Sequence, residues 1–451
     1  MKKIYEIFII SIIFFVICFV YKGQQRITLN GGKGWDGLTY YSMTEQIQAG
    51  ANPVVGVMPH IRRLGTPFLV ARFSQITGIN ILDSALYINL AGALITALLL
   101  YFWLKKFFKE FWITCLLCFL FMMTWYAPVR YSFYVPFTTD PWGAVWFVGA
   151  LLLLNSMRNS YKIKRDRVFM GYLFAYSLVI SIGNLFRESN AILCILPLFI
   201  LYPFRKFNIS YKTMTVHHGL LFIRKTWNLY FVRQNLFLLV PFLFIAGSNI
   251  FIKKHIAISD LNDYSYLGNI LTCFYTKTLP EYILGVLTAF GPLLLLVPLY
   301  YSRFKSLLWE RQELLVLLMV SLLLGYIGGT DTERILCMSG FPVILILLGI
   351  SIKGLFYSPQ RWWFYILFIF QTIAMRFFWS LPDYDVKSGH TPVPFFGLMS
   401  SHVKYLYLYS HWSNYIVNTI ELIEYLVLFV LTGYIIHNKV VLKLNPVISK
   451  E

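Results

Sequence analysis

Charge is scarce in this chain, and negative charge is scarcer still. Of 451 residues only 13% are charged, and 20 Asp and Glu stand against 39 Lys and Arg. A soluble domain carries roughly 25% charged residues, so no stretch is polar enough to form a separate soluble domain. Cysteine is sparse as well, at six residues. Cys18, Cys115, Cys118, Cys194 and Cys337 fall in or beside apolar runs, and only Cys273 falls in a polar loop. Cys115 and Cys118 form a C-x-x-C, but no His or acid is near it, which favours packing over metal or redox chemistry. No nucleic-acid-binding module accompanies the net charge of +19. That surplus is read as membrane topology and contact with anionic lipid.

What the chain does have is apolar length. It is 58% hydrophobic and 18% aromatic, in recurring runs of about 17 to 25 residues, each able to span ~30 Å of hydrocarbon. The expected fold is an all-α polytopic membrane protein, one integral domain over 1–451 with about twelve transmembrane helices. The spans are read near 5–21, 81–104, 111–127, 141–157, 168–184, 189–204, 235–252, 282–302, 313–329, 335–352, 362–381 and 417–437. Lys2 and Lys3 and the connections 105–109, 158–167, 205–233 and 303–311 are rich in Lys and Arg. This excess predicts both termini in the cytoplasm of a plasma (inner) membrane. Tyr21-Lys22-Gly23-Gln24 follows the first run in place of a small-residue cleavage site, so that run reads as an uncleaved anchor. The sequon Asn208-Ile-Ser210 falls in an expected cytoplasmic loop.

Three loops stand out. Segment 205–234 is basic and cytoplasmic, holds no acid, and carries His217 beside His218. It reads as an interfacial segment on anionic headgroups. Segments 22–80 and 382–416 are extracytoplasmic, the second rich in aromatics and Pro. Charges inside the spans are few (Asp83, Arg376, Glu421 and Glu424) and lie toward the outer ends. Charges at one face suit an enzyme acting at headgroup level, whereas an ion-coupled transporter keeps them near mid-depth.

In the first outer loop, Tyr40, Met43 and Ile47 recur at helical spacing behind Asp36, and Gly50 with Pro53 reads as a stop. Asp36 then sits at or next to an N-cap. Thr66-Pro67 reads as the start and Gly78 as the end of a second, amphipathic interfacial helix. His60, Arg62 and Arg63 precede it on a turn. Two adjacent guanidiniums either snorkel to headgroups or clamp a phosphate bidentately.

Gly34-Trp35-Asp36-Gly37 and Pro59-His60-Ile61-Arg62-Arg63-Leu64-Gly65-Thr66-Pro67 form a familiar pattern. So do Thr138-Thr139-Asp140-Pro141, Phe186-Arg187-Glu188-Ser189 and Thr330-Asp331-Thr332-Glu333-Arg334. In this order and on one face, they resemble bacterial members of the GT-C glycosyltransferase superfamily, mannosyltransferase-like enzymes that use polyprenyl-phosphate sugars. The resemblance implies a GT-C fold with its active site at the outer face. It implies Asp36 as catalytic base and Asp140 as the acid that places the acceptor or a metal. It offers Arg62, Arg63, Arg187 and Arg334 for the donor phosphate, with His60, Glu188, Asp331 and Glu333 beside them. The chain lacks the large C-terminal soluble domain of some members, so acceptor recognition falls to the outer loops.

The expected partners are a polyprenyl-phosphate sugar donor, a lipid, glycan or protein acceptor, and membrane lipid. No cofactor is certain; an outer-face Asp pair is compatible with Mg or Mn. Two other readings remain at this stage. One is a transporter or flippase of lipid-linked saccharides, and the other a non-catalytic subunit of an envelope-assembly complex.

Overall fold

A computed structural model describes residues 2–24, 26–124, 127–201, 233–259, 265–329, 332–358, 361–375 and 377, with 430 and 434. Among these residues the chain is almost wholly helical. Apolar runs without interior charge fold this way because, away from water, backbone N–H and C=O groups must pair within the segment. The N-terminal part runs α1 (Lys2–Tyr21), α2 (Leu29–Gly32), α3 (Asp36–Gln48), α4 (Gly65–Thr77), α5 (Ile81–Leu104), α6 (Phe111–Met123), α7 (Pro128–Tyr134), α8 (Asp140–Lys162) and α9 (Asp166–Phe186).

Five helices are long and apolar enough to cross a membrane: Ile4–Tyr21, Ile81–Leu104, Phe111–Tyr134, Asp166–Phe186 and Leu236–His255. Thr332–Ser339 with Phe341–Phe356 makes a sixth if that pair, bent by 79°, is one span. Several other expected spans are short or broken. Glu188–Leu201 begins as a 3₁₀ helix, and Gln312–Ile327 and Trp362–Thr372 have 10–17 residues. The run 282–302 divides at Gly291, whose φ is +75°. There the Gln371 side chain accepts from Leu293 N–H at 3.0 Å and donates to the Phe290 carbonyl at 2.8 Å. The run 335–352 bends where Gly340 and Pro342 meet the helix start, because Pro has no N–H to continue the ladder. The expected span at 417–437, loop 382–416 and nearly all of 205–234 lie outside the described residues, apart from isolated positions.

Two departures concern the first loop. The all-α expectation misses a two-stranded parallel sheet, β1 (Val54–Gly56) on β2 (Ile256–Ile258), with Val54 opposite Ile256. It fastens the loop to a segment far along the chain. The second helix starts at Gly65, so Thr66 is not its cap but a buried side chain. Gly78 does end it, left-handed at φ 73°. Its buried face is Thr66, Pro67, Val70, Ala71 and Ser74, while Phe68 and Ile76 point outward.

Helix α8 packs against both α5 and α9 and belongs to the large apolar core. In α5, α9 and Leu236–His255, and in the 23-residue α8, charged side chains stand in or next to the end turns, so charge collects in two layers. Asp140 opens α8 and Arg158 lies 18 residues on; at 1.5 Å per residue the layers are about 27 Å apart.

Candidate functional site

Asp36 is the first residue of α3, directly after its N-cap Trp35, whose side chain makes no capping bond. The Asp36 carboxylate turns toward the protein. Its Oδ2 lies 3.1 Å from Nη1 of Arg334, and its Oδ1 lies 3.6 Å from Nε2 of His60. Gly37 permits this, because a Cβ there would come within 3.0 Å of the Phe137 carbonyl. The helix start is thus pressed against the segment that leads into Asp140. Tyr40 follows Asp36 by four residues and so shares its helix face; it is wholly buried and faces the same site.

Asp140 is positioned from α5. The buried Asn89 amide donates to the carbonyls of Pro136 at 2.8 Å and Thr138 at 2.9 Å, and Trp142 Nε1 donates to the Ile88 carbonyl. Arg334, on helix Thr332–Ser339, bridges the two acids: its Nε lies 2.6 Å from Oδ2 of Asp140. Its guanidinium also lies over the Tyr131 ring at 5.4 Å. Arg187 approaches Asp140 from the end of α9, Nη1 to Oδ1 at 2.8 Å. It fits because residue 143 is Gly; a Cβ there would stand 2.8 Å from the Arg187 Cβ.

Arg63 and Glu188 form the other wall. Nε and Nη2 of Arg63 donate to the two Glu188 oxygens at 2.8 and 2.5 Å, and Nη1 donates to the Tyr40 hydroxyl at 2.6 Å. The Tyr40 hydroxyl also lies 3.4 Å from Nδ1 of His60.

The electrostatics follow from this packing. Burial pushes the Asp36 carboxyl up, but Arg334, then His60, Arg63 and Arg187, outweigh it and hold it well below the usual carboxylate range. Burial lowers His60 to about 4 despite the Asp36 carboxylate, with Arg63, Arg334 and Arg187 adding to the fall. At neutral pH the site therefore holds an ionised Asp36 and an uncharged His60.

These groups border a cavity of about 430 Å³, within the usual size range of small-molecule sites. Asp36, His60, Arg63, Arg187, Glu188 and Arg334 line its polar side, and Ile192, Leu324, Ile335 and Met338 its apolar side. Of the sequence candidates, Arg62 diverges from the rest: it donates to Asn249 at 2.7 Å and to Tyr266 at 3.2 Å, fastening the loop outside the cavity. Glu333 is buried but does not line the cavity, and Asp331 lies outside the described residues.

Three positioning groups carry no signal in the sequence. Tyr40 reads there only as an apolar spacer, and Asn89 as a polar residue inside a span. Lys277 is buried; its Nζ donates to the Gly325 and Gly329 carbonyls and to Thr332 Oγ1 at 3.0, 2.7 and 2.8 Å. It ties a cavity wall to the helix bearing Arg334. Among the described residues, no group of three or more His, Cys, Asp or Glu could hold a metal. The place between Asp36 and Asp140 where a divalent cation would sit is taken by the Arg334 guanidinium, so this pair does not fit one.

Comparison of the chain with protein-family models, with curated proteins and with solved structures finds no match in any of the three.

Proposed function

We propose that this protein is an integral membrane glycosyltransferase of GT-C type. In this reading it moves a sugar from a polyprenyl phosphate to an acceptor hydroxyl at the extracytoplasmic face. One observation carries the reading. A carboxylate and an arginine from the first loop, Asp36 and Arg63, meet two arginines from two other segments in one cavity at one end of the helices, beside an apolar wall.

The chemistry assigns each group a part. Asp36 Oδ2 is held by Arg334, which leaves Oδ1 to accept the acceptor's hydroxyl proton. The acceptor oxygen bonds to the anomeric carbon as the carbon–oxygen bond to phosphate breaks. The electron pair leaves with the polyprenyl phosphate, and in-line attack inverts the configuration. A carboxylate with a depressed pKa is a weak base, but it suffices where the hydroxyl turns acidic only as its new bond forms. Phosphate charge is met by arginine. Arg187 is best placed for this, because among the described residues its contacts are made through Nη1 alone, leaving Nε and Nη2 for a ligand. The apolar wall accepts the start of the prenyl chain.

The test is transfer of radiolabelled sugar from polyprenyl-phosphate donors in membranes containing Asp36→Asn. The expected result is loss of at least about a thousandfold in rate in a chain that still unfolds cooperatively, at a melting temperature lowered by the lost ion pair. Undiminished turnover would remove Asp36 as the base, and movement of donor across protein-only liposomes without a new glycosidic bond would favour the flippase reading. The charge layers at the helix ends, with none at mid-depth in the long apolar helices described, weigh against that second reading.

A further inference from the structure

At the other end of α8, about 27 Å from Asp140, lies a second cavity, of about 500 Å³. Behind its lining, Glu313 is a buried carboxylate shared by two of the lining arginines. Arg158 Nη1 donates to both Glu313 oxygens at 2.8 and 2.9 Å, and Arg311 Nε donates to Oε1 at 3.0 Å. Arg311 is fixed further by Asn155 Oδ1 at 3.0 Å and by the Phe107 ring at 4.7 Å. Higher up, Glu310 pairs with Lys162 at 3.2 Å and with Arg158 at 3.3 Å. Lys106 and Arg303 complete the rim; both are exposed, and among the described residues neither has an ion pair. Five cationic side chains and the Glu310 carboxylate line the concavity, and with Glu313 buried behind them a surplus of three positive charges remains. Phe107, Phe108, Leu307 and Ile350 form its apolar part.

From this arrangement we infer that the cavity at the α8 C-terminal end binds a phosphate group, carried by a lipid or free. The charge surplus exceeds what one carboxylate would neutralise and suits a phosphomonoester. Guanidinium and ammonium groups from separate elements can surround a tetrahedral anion, and the two buried guanidiniums are held rigid, which lowers the ordering cost of binding. The apolar wall gives a hydrocarbon chain somewhere to lie. The inference is independent of the sugar-transfer reading, which concerns the opposite end of the helices.

The test uses the full chain purified in neutral detergent, with two probes: radiolabelled inorganic phosphate and dioctanoyl phosphatidic acid. Lys106→Gln combined with Arg303→Gln changes only exposed rim residues, so the fold is retained, which the melting temperature checks. Saturable binding that weakens about tenfold or more in this variant, and is retained in Arg72→Gln, an exposed cation on α4 that lines neither cavity, is the expected result. Weakening seen with phosphatidic acid alone assigns the site to a lipid headgroup, and weakening seen with inorganic phosphate assigns it to the free anion as well. If neither probe binds, or both bind the rim variant as tightly as the native chain, the inference is wrong.

Discussion

His60 and Arg334 set the acid–base behaviour of the first cavity. His60 titrates at about 4 in the folded chain and near 6.5 when exposed. As pH falls below 6.5 the unfolded chain takes up this proton first, so stability is lost progressively between pH 6.5 and 4. The loss from this residue reaches up to about 3 kcal/mol, and melting curves of His60→Gln are expected to be flatter than native over that window. Asp36 has the same sign but a lower window: its ion pair contributes above the unfolded carboxylate pKa and is lost only in stronger acid. Arg334→Gln leaves Asp36 and Asp140 facing each other in a buried site without the shared cation. Its expected cost is about 3–5 kcal/mol, partly recovered in the double variant with Asp140→Asn. A thermal-melt double-mutant cycle measures that coupling, and strict additivity would show that the bridge is not what holds the acids together. Asp36 was legible as a residue of interest because it stands between glycines ahead of a helical repeat. Its partner was not, because Arg334 lies 298 positions away and only packing brings them together.

Individual elements place these residues by close approach. Helices α8 and α9 meet at the cavity end because Gly143 gives room to Arg187. In Gly143→Ala the added methyl must displace Arg187, and overpacking of this kind costs about 1–3 kcal/mol. Turnover is expected to fall more than stability, since the displaced group is the one assigned to phosphate; a normal KM for the donor would contradict that assignment. Asn89→Leu removes the donor for two buried carbonyls and is expected to destabilise by about 1–3 kcal/mol, read as a lower melting temperature. Hydrophobic length identified α1, α5 and α9 within a few residues. It did not reveal the breaks within 282–302 and 335–352, where a left-handed glycine and a Gly-Phe-Pro junction interrupt uniformly apolar sequence. Hydropathy averages over such breaks, and dihedral geometry does not.

Among the described helices, two charged layers about 27 Å apart enclose an apolar middle, a spacing compatible with a bilayer of ~30 Å hydrocarbon. Sidedness is open to direct measurement. Ala51→Cys, beside α3, is expected to react with an impermeant maleimide in intact cells, and Arg165→Cys only after permeabilisation. The reverse pattern would turn the protein over and move the first cavity to the cytoplasm. The six native cysteines are buried or half-buried, so the introduced thiols dominate the signal. Composition and the length of the apolar runs by themselves led to a nearly all-helical chain with several helices able to cross a membrane, because few charges over many apolar runs favour segments that pair their own backbone groups. Which charges meet was decided only in three dimensions. Neighbours Arg62 and Arg63 diverge to different partners, whereas Asp36, Asp140, Arg187 and Arg334 converge from distant positions. An ion pair depends on distances of about 3 Å, and in a bundle these are fixed by how helix ends pack rather than by separation along the chain.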